Sequence, residues 1–229
     1  MRHTNVLLAL LVAALLVGAP EAVSGQVADP DPTRFSEEIE AFERYDRFNT
    51  VPRNAIVLVG SSSIRFWPTG ERFPGLTVVN RGFGGSHISD VNHHIEETVL
   101  KHDPSIVIHY AGDNDIAAGK SPQQVLEDYQ LFAERVLEAD PRAQVLYISV
   151  KPSILRWEMW SQMAELNQLV RDYSASKLNL HFVDVAGPML RSGEPDPAHF
   201  VADGLHLTPA GYDVWTEVVG QAIARIRGW

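Results

Sequence analysis

The sequence predicts a three-layer α/β/α sandwich, in which helices cover both faces of a parallel β-sheet. Five short runs rich in aliphatic and β-branched residues are apolar along most of their length, as in strands buried on both faces. Longer segments with apolar residues at helical spacing separate these runs, which is the pattern of βαβ crossovers. The chain has 229 residues, of which 45% are hydrophobic and 21% are charged. This length and composition indicate one globular domain.

Residues 1–24 predict a signal peptide. Arg2 precedes an apolar run over residues 6–17, and small residues such as Ala22 and Ser24 follow it. The run is shorter than the ~20 residues that span a bilayer, so we expect cleavage rather than anchoring. The chain has no cysteine, which excludes a disulfide framework and a lipidated cysteine. We therefore expect a secreted or periplasmic protein without a stable membrane anchor.

The mature chain is expected to begin with a linker and to continue as one domain. Residues 25–35 are polar and contain Pro30 and Pro32, which is typical of a linker. The single domain is predicted over residues 36–229, starting with a helix that Ser36 caps.

Strands and helices are expected to alternate along this domain. The predicted strands cover residues 56–59, 76–79, 105–110, 145–150 and 180–185. Helix start signals occur at Ser89, at Ser121 with Pro122 and Gln124, and at Thr208 with Pro209. Because parallel strands need crossover helices, this order predicts a flavodoxin-like, five-stranded parallel sheet.

Unusual polar and glycine-rich segments follow four of the predicted strands. They are residues 60–64, 80–85, 112–115 and 203–206. In open parallel sheets, ligands bind outside the carboxyl ends of the strands, so these segments are expected to share one site. They contain a serine, glycines with approachable backbone N–H groups, an asparagine amide, and an aspartate three residues before a histidine. These are the groups that a serine hydrolase needs as nucleophile, oxyanion donors, acid and base.

From Arg53 onward the sequence resembles the SGNH/GDSL hydrolase family, whose four blocks carry Ser, Gly, Asn and His in this order. The most specific matches are residues 112–115 (Gly-Asp-Asn-Asp) and residues 203–208 (Asp-Gly-Leu-His-Leu-Thr). The resemblance implies the SGNH hydrolase fold and a secreted esterase of the branch that contains platelet-activating-factor acetylhydrolase subunits. It implies catalysis without a cofactor by the triad Ser62, Asp203 and His206, with an oxyanion hole formed by Ser62, Gly85 and Asn114.

The first block departs from the family pattern on both sides of the nucleophile. Where the family has Gly-Asp-Ser-Leu, residues 60–63 are Gly-Ser-Ser-Ser, so Ser61 brings no negative charge next to Ser62. A nucleophile elbow of the Gly-x-Ser-x-Gly type is excluded, because Ile64 stands at the position of its second glycine.

Three further residues are candidates for a substrate pocket. His87 closely follows Gly85, although a surface position explains it equally well. Trp157 and Trp160 near the start of a helix could line an acyl pocket, although packing in or around the core is the simpler interpretation. His199 with Asp203 and His206 could form a metal site, but a metal site leaves Ser62 and Asn114 without a purpose. We predict no metal.

The charge and the remaining motifs narrow the choice of partner. The net charge of −10 and the isoelectric point near 5.3 are unsuited to nucleic acid. The resemblance implies a small-molecule or glycan acyl ester as the substrate. Two alternatives from other classes are a flavodoxin-like module that binds phosphate or FMN at the serine loop, and a non-catalytic carbohydrate-binding protein that keeps the family fold.

Overall fold

A computed structural model describes residues 26–228 and contains the predicted parallel sheet. All five strands are parallel, in the order β2-β1-β3-β4-β5. The strands are β1 (Ile56–Gly60), β2 (Val78–Gly82), β3 (Ile106–Tyr110), β4 (Gln144–Ile148) and β5 (Leu180–Val183). The three-layer fold predicted from the sequence is confirmed, whereas the predicted signal peptide over residues 1–24 lies outside the described residues.

Helices pack on both faces of the sheet. They are α1 (Ser36–Phe48), α2 (Ser62–Arg65), α3 (Thr69–Arg72), α4 (Ile88–His93), α5 (Ile95–Thr98), α6 (Asp113–Ala117), α7 (Pro122–Ala139), α8 (Trp160–Ala175) and α9 (Pro209–Arg227). A short antiparallel pair, β6 (Leu190–Arg191) with β7 (Glu194–Pro195), lies between β5 and α9. The described residues also form short 3₁₀ turns, among them Pro32–Phe35 and Trp157–Met159.

The strands divide the core into two apolar clusters. Successive side chains of a strand point to opposite faces, so Val57 and Val59 belong to one cluster and Ile56 and Leu58 to the other. The first cluster contains the apolar faces of α4, α7 and α8, and the second contains the apolar face of α9. The central strands β1, β3 and β4 are covered on both sides and are buried along almost their whole length, whereas the edge strands β2 and β5 are partly exposed.

The turn that follows β1 places the first candidate residue. Gly60 has φ +135°, and a Cβ atom there would lie 1.8 Å from the Tyr110 carbonyl oxygen. Only glycine fits this close approach between β1 and β3. The chain therefore leaves the sheet directly into α2, and Ser62 becomes the first residue of that helix.

Residues 26–35 differ from the predicted linker because they contact the domain. The ring of Phe35 is buried in the core, and the carboxylate of Asp29 lies 2.5 Å from Nζ of Lys120. The Pro32–Phe35 turn runs into α1, so the residue at the helix cap is Phe35, and the Ser36 hydroxyl instead donates to the Thr33 carbonyl. The cap predicted at Ser36 is therefore wrong.

Of the other predicted helix starts, two are confirmed and one is wrong. The Ser121 hydroxyl accepts the Gln124 N–H at 3.2 Å, and Thr208 caps α9, as predicted. The cap predicted at Ser89 is wrong, because α4 begins at Ile88 and the carboxylate of Asp90 accepts the His87 N–H at 2.8 Å. Across residues 26–228, none of the helices combines the length and the hydropathy needed to cross a membrane.

Candidate active site

Ser62 lies at the first turn of α2, at the carboxyl edge of the sheet. Its side chain is partly exposed, whereas those of Ser61 and Ser63 are buried. Ser61 supplies the carbonyl that accepts the N–H groups of Ile64 and Arg65, which starts the helix. The N–H of a first-turn residue has no partner within its own helix. Ser62 is therefore the serine of this loop that combines access with a free backbone donor.

His206 and Asp203 meet Ser62 from the loop before α9. The Nε2 atom of His206 lies 3.0 Å from Oγ of Ser62, across 144 residues of sequence. The Nδ1 atom of His206 lies 2.6 Å from Oδ2 of Asp203. The three side chains therefore form a continuous hydrogen-bonded chain of serine, histidine and aspartate.

The protonation of Asp203 determines which nitrogen of His206 carries hydrogen. Hydrogen bonds from the His206 side chain and from the N–H groups of His206 and Leu205 lower the pKa of Asp203 to about 2. The ionised carboxylate can only accept, so Nδ1 of His206 is the donor. Its Nε2 is then left with a lone pair directed at the Ser62 hydroxyl.

The loop that carries Asp203 and His206 is closed by backbone hydrogen bonds. The N–H of Val201 donates to the His206 carbonyl at 2.9 Å, and Phe200 pairs with Leu207 in an antiparallel bridge. Gly204 adopts φ +68° at the tip of this turn. The turn brings the aspartate back to the histidine ring three residues later, as the spacing predicted.

Gly85 and Asn114 lie at the ends of the neighbouring strand loops. Gly85 is exposed with φ +78°, and open space lies where a Cβ atom would project. Asn114 is in the first turn of α6, after Gly112, whose φ of +118° begins the helix. The Asn114 Nδ2 atom donates to the Ser86 carbonyl at 3.0 Å, which joins the two loops.

A buried group of charged side chains, which sequence reasoning missed, lies next to Asn114. Nζ of Lys151 donates to Oδ2 of Asp113 at 2.9 Å, to the Tyr110 hydroxyl at 2.9 Å and to Oγ of Ser63 at 3.1 Å. Nη1 of Arg156 lies 3.2 Å from the same oxygen of Asp113. Burial would raise the pKa of Asp113, but the charges of Lys151 and Arg156 bring it below its usual range. We call Asp113, Lys151 and Arg156 the buried charge cluster.

The segment after β4 joins both sides of the site. Residues 149–156 carry Lys151 and Arg156, which reach the oxyanion side. On the other side, the Leu155 N–H donates to the Gly204 carbonyl at 3.0 Å. The only signal for this segment in the sequence was two basic residues after a strand, and a charged residue after a strand is usually a solvated one.

The three candidate pocket residues lie in different environments. His87 is buried, with Nδ1 3.8 Å from Oδ1 of Asp115, and burial together with the charge of Lys120 lowers its pKa to about 4. Trp157 and Trp160 stack on each other with ring centroids 5.7 Å apart, and Trp160 also packs against the core. These positions leave the two indoles as a packed pair beside the segment that carries Arg156.

The alternative of a metal site near His199 gains no support from the described residues. Within residues 26–228, no group of three or more histidine, aspartate or glutamate side chains is arranged to hold a metal ion. The His199 carbonyl instead accepts the Thr208 N–H at 3.0 Å.

Comparison with known proteins assigns the chain to a family. A family model described as GDSL-like lipase/acylhydrolase matches residues 66–214, which is more than half of the chain. The chain belongs to this family. The match includes Gly85, Asn114, Asp203 and His206 but begins after Ser62, in agreement with the weak first block. The assignment of the nucleophile therefore depends on the geometry around His206.

One curated protein and two solved structures illustrate what the chain is similar to. The chain is 28% identical to the human platelet-activating factor acetylhydrolase IB subunit alpha1 over an alignment of 169 positions, which covers 69% of this chain and 70% of the relative. A GDSL-like lipase from Bacteroides thetaiotaomicron has a TM-score of 0.68 and 21% identity, covering 85% of this chain and 98% of the other. A carbohydrate esterase of family 3 from Talaromyces cellulolyticus has a TM-score of 0.61 and 16% identity, covering 76% and 98%. The family match supports a hydrolase of the GDSL-like lipase/acylhydrolase family, and the two solved structures show the shared fold.

Proposed function

We propose that the protein is a secreted serine esterase that hydrolyses carboxylic esters through an acyl-Ser62 intermediate. The observation that carries this proposal is the hydrogen-bonded chain from Ser62 Oγ to His206 Nε2 at 3.0 Å and from His206 Nδ1 to Asp203 at 2.6 Å. This arrangement has no use in a phosphate-binding or FMN-binding module, whereas it is the machinery of acyl transfer.

In the first half of the proposed reaction, Oγ of Ser62 attacks the carbonyl carbon of the ester. His206 Nε2 takes the hydroxyl proton as the new carbon–oxygen bond forms, and the ionised Asp203 stabilises the resulting imidazolium. The tetrahedral intermediate then collapses. His206 returns the proton to the leaving alkoxide, the alcohol departs, and Ser62 remains acylated.

In the second half, water replaces the alcohol. His206 takes a proton from the water, whose oxygen attacks the acyl carbon of Ser62. Collapse of the second intermediate releases the carboxylic acid, and the proton on His206 returns to Oγ of Ser62. In the proposed cycle, the proton transfers therefore involve only Ser62, His206, the leaving alcohol and water.

The proposed oxyanion hole consists of three donors. They are the N–H of Ser62, the N–H of Gly85 and the second hydrogen on Nδ2 of Asn114, the first being bonded to Ser86. Fixed donors directed at a developing negative charge lower the barrier because they need no reorganisation.

The surroundings of His206 support an ester with an apolar part. The ring of Phe66 lies 5.3 Å from the His206 ring and is 55% exposed. Ile154 and Leu155, both exposed, lie next to Gly204 in the adjacent loop. An acyl chain or an apolar alcohol bound beside His206 would cover these side chains and gain hydrophobic free energy.

A fluorophosphonate probe tests the nucleophile. We expect it to label the wild-type protein at Ser62 and to leave Ser62→Ala unlabelled, with ester hydrolysis reduced by ~10⁴-fold or more because the nucleophile is absent. Ser61→Ala is the matched control: the Ser61 hydroxyl is buried and has no hydrogen-bond partner among the described residues. This control should label normally. A folded wild-type protein that stays unlabelled would overturn the proposal.

A panel of ester substrates tests the proposed hydrolysis and the proposed contact of the acyl chain with the apolar side chains beside His206. p-Nitrophenyl esters from acetyl to palmitoyl and acetylated xylan would be compared beside the Ser62→Ala control. If Phe66, Ile154 and Leu155 hold the acyl chain, Phe66→Ala should reduce kcat/KM for longer acyl esters more than for acetate. Equal losses for every chain length would exclude these side chains as the acyl site.

A further inference from the structure

We propose that Arg156 is a positioning residue that orients Asn114 as an oxyanion donor, an inference that depends on the proposed esterase function. Nη2 of Arg156 donates to Oδ1 of Asn114 at 2.8 Å, across 42 residues of sequence. Arg156 lies outside the four loops that carry the triad and the oxyanion donors, in the segment that follows β4.

The partners of Asn114 fix which way its amide faces. A guanidinium group has only donors, so the atom of Asn114 that faces Arg156 must be the carbonyl oxygen. The Ser86 carbonyl only accepts, so the atom that faces it must be the amide nitrogen. Both partners select the same orientation, and one hydrogen on Nδ2 remains for the substrate.

Arg156 is itself held on both sides. Its Nη1 atom lies 3.2 Å from Oδ2 of Asp113, an oxygen that also accepts from Lys151 at 2.9 Å and from the Tyr110 hydroxyl at 3.1 Å. The side chain of Arg156 is only 15% exposed. The ion pair with Asp113 therefore positions the guanidinium, and the guanidinium orients the amide of Asn114.

The charge of Arg156 also favours the reaction electronically. A charged donor on Oδ1 polarises the amide and makes its remaining N–H a stronger donor, since hydrogen-bonded groups in a chain polarise one another. Arg156 therefore brings a positive charge to within one amide group of the proposed oxyanion donor. Arg156 acts through Asn114 and does not need to touch the substrate.

A double-mutant cycle tests this role. In the wild-type background, Arg156→Met should lower kcat for p-nitrophenyl acetate by ~10-fold, the value of a lost charge-assisted hydrogen bond, with KM almost unchanged. In the Asn114→Ala background, the same substitution should lower kcat by less than ~2-fold, because the group it positions is gone. Arg171→Met is the control: this arginine pairs with Asp184 on the exposed surface and should leave kcat unchanged.

The outcomes separate this inference from the proposed function. If Asn114→Ala alone leaves kcat unchanged, the oxyanion assignment and with it the proposed mechanism fail. If Asn114→Ala lowers kcat but Arg156→Met costs the same factor in both backgrounds, only the positioning role is overturned. If Arg156→Met does not fold, the cycle is run with Arg156→Lys, which keeps the charge beside Asp113 but cannot hold both partners in the geometry of a guanidinium.

Discussion

The two sides of the candidate site are built in opposite ways. On the base side, the side chains of Asp203 and His206 are 46% and 30% exposed and are held mainly by hydrogen bonds within one short loop. On the oxyanion side, Asn114 is held by the buried charge cluster, in which Lys151 is 1% and Asp113 is 4% exposed. Substitutions on the base side should therefore have little effect on the stability of the core. The oxyanion side, by contrast, is part of the core.

The largest effect that tests this comparison is expected from Asp203→Asn. The amide would no longer hold Nδ1 of His206 as a donor, and the loss of the correct tautomer should lower kcat by about 10⁴-fold, the size seen for the same change in a serine protease triad. Thermal unfolding should change little because the side chain is nearly half exposed. A variant that unfolds at a much lower temperature would show that the base side is not independent of the core.

Unlike Asp203→Asn, Lys151→Met is expected to lower the stability of the fold. Removing one partner leaves Asp113 buried with fewer compensating charges, so the free energy of unfolding should fall by about 3 kcal/mol or more in a urea titration. Lys177→Met, at an exposed position, is the control and should stay within ~0.5 kcal/mol of wild type. Equal stability of the two variants would contradict the assignment of the cluster to the core.

A comparison of Gly85→Ala with Gly75→Ala separates the effect of backbone strain on stability from an effect on catalysis. Gly85 and Gly75 have φ +78° and φ +85°, both are exposed, and an added Cβ atom meets nothing within 4 Å at either position. Each alanine substitution should therefore destabilise the fold by ~1–2 kcal/mol, because the left-handed backbone is strained for alanine. Only Gly85→Ala should also lower kcat/KM, by an expected ~10-fold, because its methyl group projects into the proposed substrate site. Equal activity of the two variants would show that Gly85 does not border the substrate site.

The smallest effect concerns the pH dependence of stability on the base side. The pKa of Asp203 is about 2 in the fold against an ordinary value of 3.8, so its stabilising effect is fully present above pH 3.8 and is lost as the pH falls through about 2. The exposed position limits this effect to less than ~1 kcal/mol. Chemical unfolding of the wild type and of Asp203→Asn should therefore differ slightly at pH 6 and converge near pH 2. A difference that persists at pH 2 would assign the effect to something other than the carboxylate charge.

Much of the base side could be predicted from the sequence because its interactions are local. The spacing of Asp203 and His206 places acid and base on one turn, and Thr208 with Pro209 marks the start of the next helix. By contrast, the helix start near Ser89 was predicted at the wrong residue. Besides the local contact of Asp90 with the His87 N–H, the carboxylate of Asp115, which is 27 residues away in sequence, lies 3.2 Å from the Ile88 N–H, and no local pattern reveals that second contact.

The sequence by itself determined the parallel sheet, its two covered faces and the four loops at its carboxyl edge, because each of these depends on periodicity or on neighbours within a few residues. Only the tertiary structure decided that Ser62 lies against His206, that Asn114 is held by Arg156, and that Lys151 reaches Asp113 and Ser63. Each of those contacts joins residues 38 to 144 positions apart. The physical reason is that a buried charge is tolerated only where partners converge on it, and that convergence is set by the packing of strands and loops, not by the local sequence.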